Sequence, residues 1–131
     1  MPIFVQWDNP ERTIIYIRYE RWTWDDYYDA LRESAILSKT VDHPVDIIAD
    51  LVDSLVPKGG TISHAAAALK QDNSRVGLIV LVTPNRFVQS LTQMSWRVLP
   101  DFKKKYRMTS TVELARDLIA REREKLVGVS P

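Results

Sequence analysis

Polar and apolar positions alternate from the start of the chain. Ile3, Val5 and Trp7 alternate with Phe4, Gln6 and Asp8, and the turn-forming run Asp8-Asn9-Pro10-Glu11-Arg12 leads into a second alternating segment, Thr13 to Glu20. Two such segments joined by a short polar link predict an antiparallel β-hairpin. In the second strand Ile15, Ile17 and Tyr19 share one face, while Ile14, Tyr16, Arg18 and Glu20 share an amphipathic, partly wet one.

The period then changes. Thr23 followed by Asp26 makes a capping-box pair, and Trp22 and Tyr27 occupy the positions of a hydrophobic staple. Trp24, Tyr28, Leu31 and Ala35 recur at helical spacing, which predicts a helix to about Ser38. Val45 to Leu51 is a short apolar run that reads as a buried strand ending near Asp50, and Val52 to Thr61 is a loop delivering the chain to an alanine-rich helix from Thr61 to Lys70. Val76 to Val82 is continuously aliphatic, the pattern of a parallel strand covered on both faces, and is expected to be the central strand. Thr83-Pro84-Asn85 opens a helix with Phe87, Leu91, Met94 and Val98 inward. The basic stretch Lys103 to Met108 holds a short edge strand guarded by lysines. Ser110-Thr111-Val112-Glu113 repeats the capping-box pattern and starts a last helix with Val112, Ala115, Leu118 and Ile119 inward. The order is β-β-α-β-α-β-α-β-α. It predicts an α/β fold, a single mixed sheet with an N-terminal antiparallel hairpin, over residues 1–127, followed by a flexible tail, 128–131.

Composition adds few constraints. At 131 residues, with 45% hydrophobic and 27% charged positions, the chain has the make-up of one globular domain. Its 18 basic and 17 acidic residues give a net charge of +1, so no global field draws it to nucleic acid or an anionic membrane. The absence of cysteine removes disulfides, thiolate metal sites and cysteine nucleophiles from consideration and agrees with a cytoplasmic location. Neither a signal peptide nor a membrane span is read from the pattern.

Candidate chemistry gathers where strands give way to helices, because free backbone N–H groups there attract anions. Asp50, Lys58, Gly59 and Gly60 form one such edge, and Thr83, Asn85 and Arg86 form a second, adjacent to the first if the two strands pair. Arg86 at a helix start opposes the helix dipole, as a residue with an anionic partner would. His43 and His64 have no ligand-like spacing and no Gly-x-Ser-x-Gly elbow is present, so no metal, cofactor or hydrolytic centre is expected. Lys103, Lys104, Lys105 and Arg107, near Phe102 and Tyr106, read as a solvated edge, and nucleic-acid binding is not expected.

The element order, with a strand ending at Asp50 followed by a loop and a helix, resembles the STAS domain, the fold of anti-sigma-factor antagonists and their SpoIIAA-like relatives. Regulatory members of that family carry a strand-end aspartate, matched by Asp50, and an Asp-Ser-Ser-Gly or Asp-Ser-Thr-Gly signature whose hydroxyl a kinase phosphorylates. Here Asp53-Ser54 comes earlier than that signature, and the helix opens with Lys58-Gly59-Gly60-Thr61. By position the resemblance implies Thr61 as phosphoacceptor, with Ser63 and Ser54 as the other candidates. It also implies a non-catalytic signalling module that works through a protein partner, such as a regulator or kinase. Small apolar or anionic ligands, lipid- or nucleotide-like, are the alternative cargo. Trp96 and the outer aromatic residues leave self-association into a homodimer open.

Overall fold

The computed structural model of the chain describes residues 3–54, 63–64, 67, 75–86, 89–90, 93–94, 97 and 105–129. Strands β1 (Ile3–Trp7) and β2 (Ile14–Tyr19) form the expected antiparallel hairpin, with Val5 opposite Ile17. Its link is shaped by Asn9, whose Oδ1 accepts from the N–H of Thr13 at 3.0 Å, and by Arg12, which takes the left-handed conformation at φ 57°. Helix α1 (Trp24–Ser38) follows, then β3 (Val45–Asp50), β4 (Val76–Val82), β5 (Tyr106–Thr109) and helix α2 (Val112–Val129). The sheet runs β1-β2-β3-β4-β5 with β2 to β5 all parallel, so it is one mixed sheet with an antiparallel edge. The helices expected after β3 and after β4 fall largely outside the described residues. Within them Ser63, His64, Ala67, Arg86, Gln89, Ser90, Gln93, Met94 and Arg97 are helical.

Expectation and structure part at several points. The middle strand is β3, not β4, because the hairpin adds two strands on one side and β5 only one on the other. β3 matches that position, with Val45 and Ile48 fully buried and Asp46, Ile47 and Ala49 all under a tenth exposed. In α1 the buried positions are Ala30, Ser34 and Ser38, while Trp24, Tyr28, Leu31 and Ala35, which show the helical spacing in the sequence, are partly buried. Small residues let the helix approach closely, and the serine hydroxyls donate to carbonyls one turn back, Ser34 to Ala30 at 2.9 Å and Ser38 to Ala35 at 2.8 Å. The larger aromatics then stand on the flank. Met94, expected inward, is half exposed. On its helix the side-chain amide of Gln89 donates to the Thr83 carbonyl at 3.1 Å.

The caps differ in outcome. Thr23 and Asp26 form the full capping box, and Trp22 packs on Tyr27 with centroids 6.0 Å apart. At α2 the cap is one residue later than expected: Thr111 Oγ1 accepts from Leu114 N–H at 3.1 Å, and Ala115 makes the first helical bond to the Thr111 carbonyl. The helix continues past Gly128 to Val129.

Two cores lie on opposite faces of the sheet. Ile15, Ile17, Tyr19, Ile47, Ala49 and Ile79 pack with Ala30 of α1 on one side, and Ile14, Ile48, Val80 and Val82 pack with Ala115 and Ile119 of α2 on the other. α2 is also tied by two arginine forks. Arg116 grips Asp8 at 3.0 and 2.8 Å, and Arg123 grips Asp46 at 3.0 and 2.7 Å while also bonding Thr13. α2 packs on β3, β4 and β5, which leaves the β1–β2 part of that face, toward the C-terminal ends of the parallel strands, without a helix among the described residues.

Candidate functional site

Asp50 ends β3 on the face that α2 only partly covers, and the structure shows what holds it. Its Oδ2 accepts a short hydrogen bond from the Tyr16 hydroxyl, and its Oδ1 accepts from Val52 N–H at 3.0 Å. The second bond is an Asx turn that starts the exit loop. The first follows from sheet register, since Tyr16 and Asp50 point to the same face of neighbouring parallel strands, in which Arg18 stands opposite Asp50. Partial burial, then the hydrogen bond to the Asp50 carboxylate, pushes the Tyr16 hydroxyl up to about 12. The tyrosine therefore remains a proton-carrying donor throughout the neutral range.

The next turn is anchored from α1. Ser54 is buried, its N–H bonds the Leu51 carbonyl at 3.2 Å, and its Oγ lies 2.6 Å from the indole nitrogen of Trp22, which donates to it. Trp22 is itself wedged against Tyr19 and Trp24 with ring centroids 5.2 and 5.0 Å apart. The staple residue that starts α1 thus also fixes the loop leaving β3.

Around Asp50 lies an open depression of about 500 Å³ lined by Phe4, Gln6, Tyr16, Arg18, Glu20, Asp50 and Asp53. Arg18 sits 3.5 Å from Glu20 and 3.9 Å from Asp53, and all three side chains are well exposed. Such surface pairs contribute little to stability. Phe4, 42% exposed, forms the apolar side of the cleft. Three carboxylates face one guanidinium here, so the cleft carries a local negative excess within a nearly neutral chain.

The second strand-end junction is adjacent to the first, as pairing of β3 with β4 requires. Asp50 stands opposite Val82, and Leu51 N–H bonds the Val82 carbonyl at 2.8 Å. Thr83 is fully buried, bonds the Thr109 carbonyl through its N–H at 2.9 Å and accepts from Asn85 N–H at 3.1 Å. Asn85 accepts the first helical bond, from Gln89. Arg86 is exposed at the helix start. Thr61, Lys58, Gly59 and Gly60 lie outside the described residues, as do Trp96, Phe102, Lys103 and Lys104. Ser63 is helical and exposed. The next residue, His64, stacks on Trp24 at 4.2 Å and meets the Tyr28 hydroxyl at 2.6 Å, which occupies the outer aromatics of α1.

Asp50 was readable from the pattern as a strand-end carboxylate. Tyr16, Trp22 and Phe4 as its surroundings were not. The one signal for them was the amphipathic second face of β2, which becomes a site only once the β2–β3 register is known. A second depression, of about 560 Å³, lies between α2 and the N-terminal ends of β3 and β4, lined mainly by apolar groups together with His43 and Arg123.

Compared with protein-family models, curated proteins and solved structures, the chain matches none. Among the described residues no helix is long and apolar enough to cross a membrane.

Proposed function

We propose that the chain is a non-catalytic, STAS-like interaction module whose working surface is the cleft at the C-terminal edge of β2 and β3. The observation that carries this reading is the placement of Asp50. Its carboxylate is engaged by Tyr16 and Val52 at the floor of a cleft whose walls are exposed, loosely paired charges and an exposed phenylalanine. A carboxylate with both oxygens engaged shapes a surface; the exposed rim charges of Arg18, Glu20 and Asp53 choose a partner. The chemistry suits a protein segment that sets an apolar side chain against Phe4 and a basic one against Glu20 and Asp53. A regulatory phosphate at Thr61 or Ser63 belongs to the same reading, as charge added by a kinase partner in a signalling pathway.

The test is a photo-crosslinking amino acid at position 6 in cells that naturally carry the protein. A discrete adduct of a mass other than that of two joined copies, which disappears when Glu20 and Asp53 are both changed to arginine, is the expected result. An adduct pattern identical to that of a probe at Glu33, exposed on α1, would count against the cleft.

A second reading, a carrier of a small apolar ligand, is favoured by the depression beside α2, whose lining is largely apolar and whose Arg123 is already held by Asp46 and Thr13. Native mass spectrometry separates the two. A co-purifying small molecule released by Leu78→Trp supports the carrier, and a bare chain mass argues against it.

A further inference from the structure

We infer that β1 is the contact through which two copies of this chain pair, strand to strand, about a two-fold axis at Val5. The two edges of the sheet are unlike. β5, Tyr106-Arg107-Met108-Thr109, carries a cation and follows the lysine run 103–105, a common guard against strand addition. β1, Ile3-Phe4-Val5-Gln6-Trp7, has no charge, proline or glycine in its five residues, and among the described residues only β2 pairs with it.

The groups it offers follow from the hairpin ladder. Asp8 N–H bonds the Ile14 carbonyl at 2.8 Å, which sets the antiparallel alternation so that Phe4 and Gln6 also turn their backbone groups toward β2. The N–H and C=O groups of Ile3, Val5 and Trp7 then face outward. A second copy running antiparallel with Val5 opposite Val5 sets Ile3 opposite Trp7, and every outward donor meets an acceptor in the hydrogen-bonded pairs of the new ladder. The same register sets Phe4 opposite Gln6 on the cleft face, which covers part of a ring now 42% exposed. On the other face the partly buried Val5 meets Val5 and Trp7 meets Ile3, extending the apolar cluster that they already join.

The strand matches itself: in this one register a second copy pairs every outward backbone group, covers Phe4 with Gln6 and sets no like charges opposite one another across the axis. Asp8, the nearest carboxylate in the chain, is already held by Arg116. The contact does not depend on how the cleft is read. It places the clefts of the two copies side by side, each with its own Phe4 and Gln6.

Sedimentation equilibrium of the full chain tests it with two double variants, Phe4→Lys with Gln6→Lys and Phe4→Glu with Gln6→Glu. The native chain dimerises, each double variant associates at least about ten-fold more weakly because like charges oppose across the axis, and an equimolar mixture of the two regains the dimer. A native chain that stays monomeric to millimolar concentration overturns the inference. So does a dimer that both variants leave intact, or a mixture that does not recover. If circular dichroism shows either double variant unfolded, an equimolar mixture of Phe4→Cys and Gln6→Cys decides the matter. These positions oppose each other as a non-hydrogen-bonded pair, close enough for a disulfide, so in a chain without native cysteine mild oxidation links the two variants, and failure to form the mixed covalent dimer overturns the proposal.

Discussion

Asp46 illustrates how much of this fold rests on single side chains. It lies within β3 and is 9% exposed. One oxygen accepts from Leu78 N–H at 2.8 Å and the other takes the Arg123 fork. Across from it Gly77 leaves room for the carboxylate, for a Cβ built there would stand 2.5 Å from Asp46 Oδ1. Gly77→Ala is expected to destabilise the protein by about 1–3 kcal/mol through this overlap. In an Asp46→Ala background the added cost falls below about 0.5 kcal/mol, so a double-mutant cycle by urea denaturation measures the coupling. None of this was legible in the sequence, where Asp46 is one polar residue in an apolar run and its partner is 77 positions away. The buried tyrosines give a pH signature at the same scale. Burial pushes Tyr106 up to about 12, and it raises Tyr19 and Tyr27 as well, Tyr27 also hydrogen-bonding Tyr106. Their folded-state values lie above the unfolded value near 10, so below about pH 10 they add no pH dependence. Stability is expected to fall from about pH 10 to 12, as the unfolded chain loses these protons first, and urea midpoints across that range check it. A flat profile would mean that the phenols are not sequestered.

The elements divide by how local their determinants are. The α1 cap was legible because its two side chains are three residues apart and satisfy each other's backbone N–H groups, at 2.8 and 3.2 Å. Thr23→Ala is expected to cost about 1 kcal/mol, read as a lowered urea midpoint with unchanged slope. The side of α1 that meets the sheet was not legible, because a periodicity reading weighs large apolar side chains, whereas the contact is made by Ala30, Ser34 and Ser38. Of the aromatics here, Trp22 packs on the core and bonds Ser54, while Trp24 and Tyr28 meet His64. At α2 the apolar stripe was legible, and the cap moved by one residue because either Ser110 or Thr111 can supply the hydroxyl; Thr111 is the one that accepts from the third helical N–H.

At the scale of the whole molecule, alternation in the hairpin and continuous apolar runs in β3 and β4 were enough to predict one mixed sheet with an antiparallel edge. Which strand lies in the middle was not, because run length reports burial on both faces and both β3 and β4 have it. The asymmetry of the molecule follows from its last helix. Drawn down by Arg116 and Arg123, α2 covers β3 to β5 and leaves Tyr16, Arg18 and Asp50 under an open cleft, with Phe4 between that cleft and the free edge of β1. In the proposed role the exposed Arg18 and Phe4 are kept for contact and not for folding. The most direct measurement pairs crosslinking from position 6 with urea denaturation in Arg18→Glu, which removes the only guanidinium among the cleft's lining residues. Stability within about 0.5 kcal/mol of the native chain, together with loss or replacement of the adduct, is the expected result. An unchanged adduct accompanied by a large loss of stability would contradict it.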